Sequence, residues 1–184
     1  LYSVNSWDGY FYMHTNKNAE DFKIDKTNSK NFDKWETFIP AKDETLIGGL
    51  TFLNNWIIRS ELSGALGKIL VRNIKTNTEE ELIFSEEKVY DGAVSLIQKD
   101  KNTDLIHISY STPKTQSRVF LYNLKTKEKK LVKEQIIPSG HNPDNYIVER
   151  HNCDSHDGRK IPITIIRHIK TKIDGNAKLL LYGY

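Results

Sequence analysis

Cysteine is nearly absent from these 184 residues: Cys153 stands alone, which excludes an internal disulfide framework and fits a reducing, cytoplasmic setting. Long apolar runs are missing as well. None approaches the ~20 residues of a membrane-spanning helix, so no membrane partner is expected. Charge of one sign is also lacking. The 27 basic and 24 acidic residues give a net +3 and are well mixed. The densest basic stretch, Lys125 to Lys133, is interrupted by Glu128, Leu131 and Val132. It reads as a solvated hairpin rather than a nucleic-acid surface, which concentrates its charge on one face. The first residues, Leu1-Tyr2-Ser3-Val4-Asn5, lack both an initiating Met and the basic-then-apolar layout of a leader. The chain is therefore expected to begin inside a longer protein.

What is present suits a globular core, with 38% hydrophobic and 10% aromatic residues. Three turn-like strings recur, Lys26-Thr27-Asn28, Lys75-Thr76-Asn77 and Lys125-Thr126-Lys127, spaced 49 and 50 residues apart (26 to 75, 75 to 125). Alternating apolar stretches precede them: Phe22 to Asp25, Ile69 to Ile74, and Val119 to Leu124. Further strand-like runs follow at Trp35 to Ile39, Glu81 to Phe84, and Lys130 to Val132. One step earlier lie Tyr10 to His14, Trp56 to Arg59, and Leu105 to Tyr110. All are short, β-branched or aromatic, and bounded by Gly, Asn, Asp and Ser. A four-strand unit repeating near 50 residues is the pattern of a β-propeller blade, with a β-sandwich as the alternative. Innermost strands are expected at Leu50 to Leu53 and Ala93 to Ile97. The first unit has little sequence before Trp7, so its inner strand is expected to be missing. The expectation is three blades across residues 7–134, the first incomplete.

After Gln135 the pattern changes. Ile137-Pro138-Ser139-Gly140 and Asn142-Pro143-Asp144 form a turn-rich connector. Asp157-Gly158 between Tyr146 to Arg150 and Ile161 to Arg167 predicts a hairpin. Lys178-Leu179-Leu180-Leu181-Tyr182 is apolar on both faces, as in a strand buried within an α/β sheet.

These C-terminal residues carry a resemblance. The Asp-Gly turn, the strand Ile161 to Ile166, a basic linker and Leu179-Leu180-Leu181-Tyr182-Gly183-Tyr184 resemble the start of the catalytic domain in the prolyl oligopeptidase family of serine peptidases. Phe38-Ile39-Pro40 with Gly49-Leu50, Tyr110-Ser111-Thr112-Pro113, and the Ile137 to Gly140 connector are similar to the oligopeptidase B branch. Ala177-Lys178 departs from it, since relatives commonly carry Pro just before that strand. The resemblance implies a partial seven-bladed propeller over 1–138 and a truncated α/β-hydrolase domain over 139–184. It implies cleavage of short peptides after Arg or Lys, with the propeller as a size filter. It also assigns Tyr184 as an oxyanion-hole donor, a role worth about 3–4 kcal/mol in a water-excluded site.

The remaining machinery of a serine peptidase is not found. No G-x-S-x-G elbow occurs, and the resemblance puts Ser, Asp and His beyond Tyr184. Ser155-His156-Asp157 has suitable residue types, but contiguous strand residues alternate faces and cannot relay a proton. It reads as a polar hairpin end. His151, Cys153 and His156 form one short cluster where a structural zinc site needs paired ligands, so no metal is expected. Trp7, Trp35 and Trp56 suit blade packing, with a stacking platform as the alternative. Nothing calls for a cofactor. A stand-alone propeller that binds peptides remains the rival to the enzyme reading. Open blade flanks and uncovered strand edges imply self-association.

Overall fold

The computed structural model describes residues 1–28, 30–83, 87, 89–96 and 101–183, with only the backbone described over 91–96. Within these, strands account for nearly all regular structure. Four strands, β1 (Tyr2–Trp7), β2 (Tyr10–Thr15), β3 (Lys23–Asn28) and β4 (Glu36–Ile39), form an antiparallel meander in sequence order. A second meander follows: β5 (Thr45–Leu53), β6 (Trp56–Ser63), β7 (Leu66–Asn73) and β8 (Glu79–Glu81). The third comprises β9 (Asp91–Leu96), β10 (Leu105–Ser111), β11 (Arg118–Asn123) and β12 (Lys129–Glu134). A short 3-10 turn at Pro143–Asn145 then leads into the hairpin β13 (Tyr146–Asp154) and β14 (Lys160–His168).

The first sheet corrects one expectation. Its innermost strand is present, and β1 pairs with β2 from Tyr2↔Thr15 to Trp7↔Tyr10. Tyr2 and Val4 are exposed and the other residues up to Ser6 are polar, so the strand rests on backbone pairing rather than burial. The hydrophobic pattern therefore did not mark it.

The repeat strings need a second correction. Lys26-Thr27-Asn28 lies inside β3, not in a turn. The true register is set by asparagine: β3, β7 and β11 end on Asn28, Asn73 and Asn123. In each case the Asn Oδ1 accepts the backbone N–H two residues on, from Lys30, Lys75 and Lys125, all at 2.9 Å. An Asx turn of this kind satisfies the chain as it leaves the ladder. Other boundaries shift slightly. The outer strand of the second sheet is Glu79–Glu81 rather than Glu81 to Phe84, and Leu82 beyond it is buried. Phe84 and Ile97 lie outside the described residues.

Two apolar layers hold the sheets together. The first combines Tyr12, Ile24 and Ile39 with Ile47, Phe52 and Ile57. The second joins Leu53, Ile58, Ile69, Val71 and Leu82 to Ile106, Ile108 and Leu124. The middle sheet is thus buried on both faces: Ile57 and Ile58 are adjacent in β6 yet serve opposite layers. In β10 the alternation is simple, with Ile106, Ile108 and Tyr110 buried on one face. A bulge between Ile47 and Leu50 sets Gly48 against Ser60. A Cβ on Gly48 would sit 2.1 Å from Ser60 Oγ, so only glycine allows this approach.

A third correction concerns the chain end. Residues 178–183 form no strand, and Leu179, Leu180, Leu181 and Tyr182 are exposed. A strand exists only where a neighbouring backbone supplies hydrogen-bond partners, and the described residues offer none there.

Candidate functional site

The hairpin end carries the sequence's most catalytic-looking residues. β13 and β14 pair from Tyr146↔His168 to Asp154↔Lys160, leaving Ser155 to Arg159 as the turn. Ser155 N–H donates to Arg159 O at 2.8 Å and Gly158 N–H to Ser155 O at 3.0 Å. Ser155 Oγ lies 3.4 Å from His156 Nδ1. The Asp157 carboxylate is engaged by Arg159, accepting its backbone N–H at 3.1 Å and lying 3.7 Å from its Nε. The group has neither the carboxylate that orients a base nor a shielded site in which to work. It is a solvated turn.

His151 and Cys153 sit higher on β13, opposite Ile163 and Ile161, and both are exposed. Among the described residues no three His, Cys, Asp or Glu side chains gather closely enough to hold a metal. Tyr184 lies outside the described residues. Trp7 and Trp35 lie in and beside strands of the first sheet, and Trp56 lies in the second. Trp7 stacks on Phe52 with centroids 6.0 Å apart, and Trp56 Nε1 donates to Asp104 Oδ1 at 2.7 Å. Trp35 is partly exposed just before β4. Trp7 and Trp56 pack against the two apolar layers rather than forming a stacking platform.

Sequence reading missed the most heavily buried charged side chains among the described residues. Arg59 and Glu61 project from β6 and are about 95% buried. Arg59 Nε donates to Glu61 Oε1 at 3.0 Å, while its terminal nitrogens grip Glu79 on β8. Lys42 Nζ reaches Glu61 at 2.7 Å, and Arg72 Nε reaches Glu79 at 3.0 Å. Arg72 also lies over the Phe38 ring of the first sheet, 4.9 Å from its centroid. Burial works against the Arg59 charge, but hydrogen bonds to Glu79 and Glu61 outweigh it and raise its pKa. The Arg59 hydrogen bond is likewise the main cause that holds the Glu79 carboxyl below its usual range. The alternation Arg59-Ser60-Glu61 within an apolar strand was the available signal. Two opposite charges two residues apart share a face, here the buried one.

Among the described residues the site therefore offers binding surfaces and structural charge pairs, but no nucleophile with its base. Shallow grooves also occur among the described residues. One, about 330 Å³, lies between the second and third sheets and is lined by Asn55, Trp56, Asn73, Lys75, Asp104 and Lys125. Another, about 410 Å³, lies on the third sheet beside Leu121 and Lys130.

Residues 1–135 match the family described as "Prolyl oligopeptidase, N-terminal beta-propeller domain". The chain belongs to the prolyl oligopeptidase family. The three meanders accordingly lie within its propeller domain, and the family is one of serine peptidases. Dipeptidyl aminopeptidase BI of Pseudoxanthomonas mexicana is 27% identical over 169 residues, covering 90% of this chain and 23% of the relative. The dual function macrocyclase-peptidase POPB of Galerina marginata is 28% identical over 184 residues, covering 94% and 24%. In fold, the chain is similar to oligopeptidase B from Trypanosoma brucei with covalently bound antipain. That match has a TM-score of 0.82 at 22% identity, over 94% of this chain and 26% of the other. The chain thus spans about a quarter of the length of the relatives it matches. Among the described residues no helix is long and apolar enough to cross a membrane.

Proposed function

We propose that this chain is the late-blade portion of a serine-type oligopeptidase of the oligopeptidase B kind, with residues 1–138 closing the propeller and 139–184 opening the hydrolase domain. The observation that carries this reading is the hairpin β13–β14. It follows three regular meanders, pairs with none of them among the described residues, and falls within a fold likeness that extends over 94% of the chain. A binding propeller made only of blades has no use for it.

In the whole protein the blades act as a size filter over a buried site that cleaves short peptides after Arg or Lys. Tyr184 donates a hydrogen bond to the developing oxyanion, and Ser, Asp and His come from sequence beyond it. The exposed free thiol of Cys153 supports a reducing, cytoplasmic setting. The outer face of the third blade, with Leu131 exposed, supports self-association of the isolated chain.

The purified chain is expected to hydrolyse no Arg- or Lys-fluorogenic peptide and to take no fluorophosphonate label. Labelling of this chain, verified by mass spectrometry, would overturn the assignment. Light scattering at micromolar concentration is expected to report a dimer or larger species. A longer reading frame is expected to carry G-x-S-x-G, then Asp, then His after Tyr184.

A further inference from the structure

One side chain ties the hairpin to the propeller. Arg150, on β13, donates from Nη1 at 2.6 Å to Oγ1 of Thr164, its own register partner across the hairpin. Its Nη2 donates to the carbonyl of Gly64 at 2.5 Å, 86 residues away in sequence. Gly64 and Ala65 form the two-residue turn between β6 and β7, with φ of 55° and 57°. Such a turn places its central residues outside the ladder, so the Gly64 carbonyl has no strand partner to give up.

The surroundings define what this contact can do. The connector has its own anchor, where His141 Nε2 donates to Lys114 O at 2.6 Å in the third blade. That anchor joins the connector to the blade from which the connector itself emerges. The Arg150 contact reaches the second blade instead. Both acceptors are neutral, and Thr164 and Gly64 are exposed. A charged donor on neutral acceptors in water holds a geometry, yet releases readily.

We propose that Arg150 is a positioning residue, a two-pronged latch that holds the β13–β14 hairpin against the Gly64–Ala65 turn of the second blade. This rests on the reading that the hairpin opens a second domain. In the whole peptidase the latch sets how often the gap between that domain and the second blade widens, and so how readily a peptide passes between them.

The test uses the intact 184-residue chain and its single natural thiol. One spin label goes on Cys153 and the other on Lys68→Cys in β7, both positions being exposed. Wild type is expected to give one narrow distance distribution. Arg150→Ala is expected to raise the long-distance population at least about fivefold, the scale of one charge-assisted hydrogen bond at an exposed site. Thermal unfolding of the blades is expected not to move. Arg150→Lys keeps the charge but not the fork, so it should fall between the two. Thr164→Val removes one prong with little risk to folding and should widen the distribution slightly. An unchanged distribution in Arg150→Ala, or a Lys variant as narrow as wild type, would overturn the latch. Amide exchange separates this from failure of the underlying reading. If residues 146–168 and the blades open in a single cooperative step in wild type, the hairpin belongs to the propeller and the second-domain reading falls. Exchange of the hairpin apart from the blades, with no Arg150 effect, would sink the latch alone.

Discussion

The two inter-blade layers have the same backbone plan and different chemistry. Between the first and second blades, Phe52 meets Tyr12 at 4.9 Å and Trp7 at 6.0 Å, and the charged group around Arg59 is buried alongside. Between the second and third blades the layer is aliphatic, built on Leu53, Ile58, Val71, Ile106 and Ile108. The register makes the contrast exact at one position. Trp56 pairs with Asn73 and Leu105 with Asn123, so Arg59 in β6 corresponds to Ile108 in β10. A propeller blade therefore needs something that fills the position, and either a hydrocarbon or a fully paired guanidinium will serve. The two solutions differ in what breaks them.

Neighbouring truncations in β5 should separate the layers most strongly. Phe52→Ala is expected to cost about 4 kcal/mol, and Leu53→Ala about 3 kcal/mol. Amide exchange should place the first loss in β2 and β3 and the second in β10. If both variants loosen the same strands, the layers are not independent.

Arg59→Met should come next, at roughly 3 kcal/mol by urea unfolding, because it leaves Glu61, in a nearly dry position, with Lys42 alone and takes from Glu79 its principal partner. Adding Glu61→Leu should recover most of that loss, since a paired charge group and an apolar one of similar volume are close in stability. A double variant as weak as the single would show that the charges contribute net stability.

Ile108→Val, at the corresponding site, should cost only about 1 kcal/mol and show no coupling to pH.

The smallest effect is the pH dependence of the first layer. Glu79 has a lowered pKa, so its contribution is fully present above the ordinary Glu range near 4.3. It is lost as pH falls below that range, through the folded-state pKa. Exchange in β6 and β8 should then quicken before exchange in β10. Equal acid sensitivity of the two layers would contradict the role given to Glu79.

Much of this was legible in advance, for identifiable reasons. The strands of the second and third blades announced themselves because burial on one or both faces demands β-branched and aromatic residues there. β1 did not, since an inner strand with polar, exposed residues is held by its ladder alone. The repeat was visible but slipped in the first blade, because Lys-Thr-Asn resembled the later turn strings while Asn28 was the residue that mattered. The charge group was hidden by habit: charged residues are usually solvated, and only their alternation hinted otherwise. Arg150 was hidden for a different reason, because its partner is a backbone carbonyl that no side-chain pattern can announce. The apolar run at Leu179 to Tyr182 was read as a strand on composition, yet a strand also requires a neighbour.

The meander order has a consequence for biosynthesis. After the first strand of each blade, every strand pairs with the one made just before it, and among the described residues no strand is exchanged between sheets. Each blade can therefore assemble from a stretch of about 50 residues as it leaves the ribosome, within roughly 3–10 s at ordinary elongation rates. The first blade has its ladder by the time Ile39 has emerged, but its aromatic face stays wet until Phe52 and Ile57 arrive. Each nascent blade thus serves as the surface on which the next condenses, and the interval between them is when the chain is most exposed to misassociation.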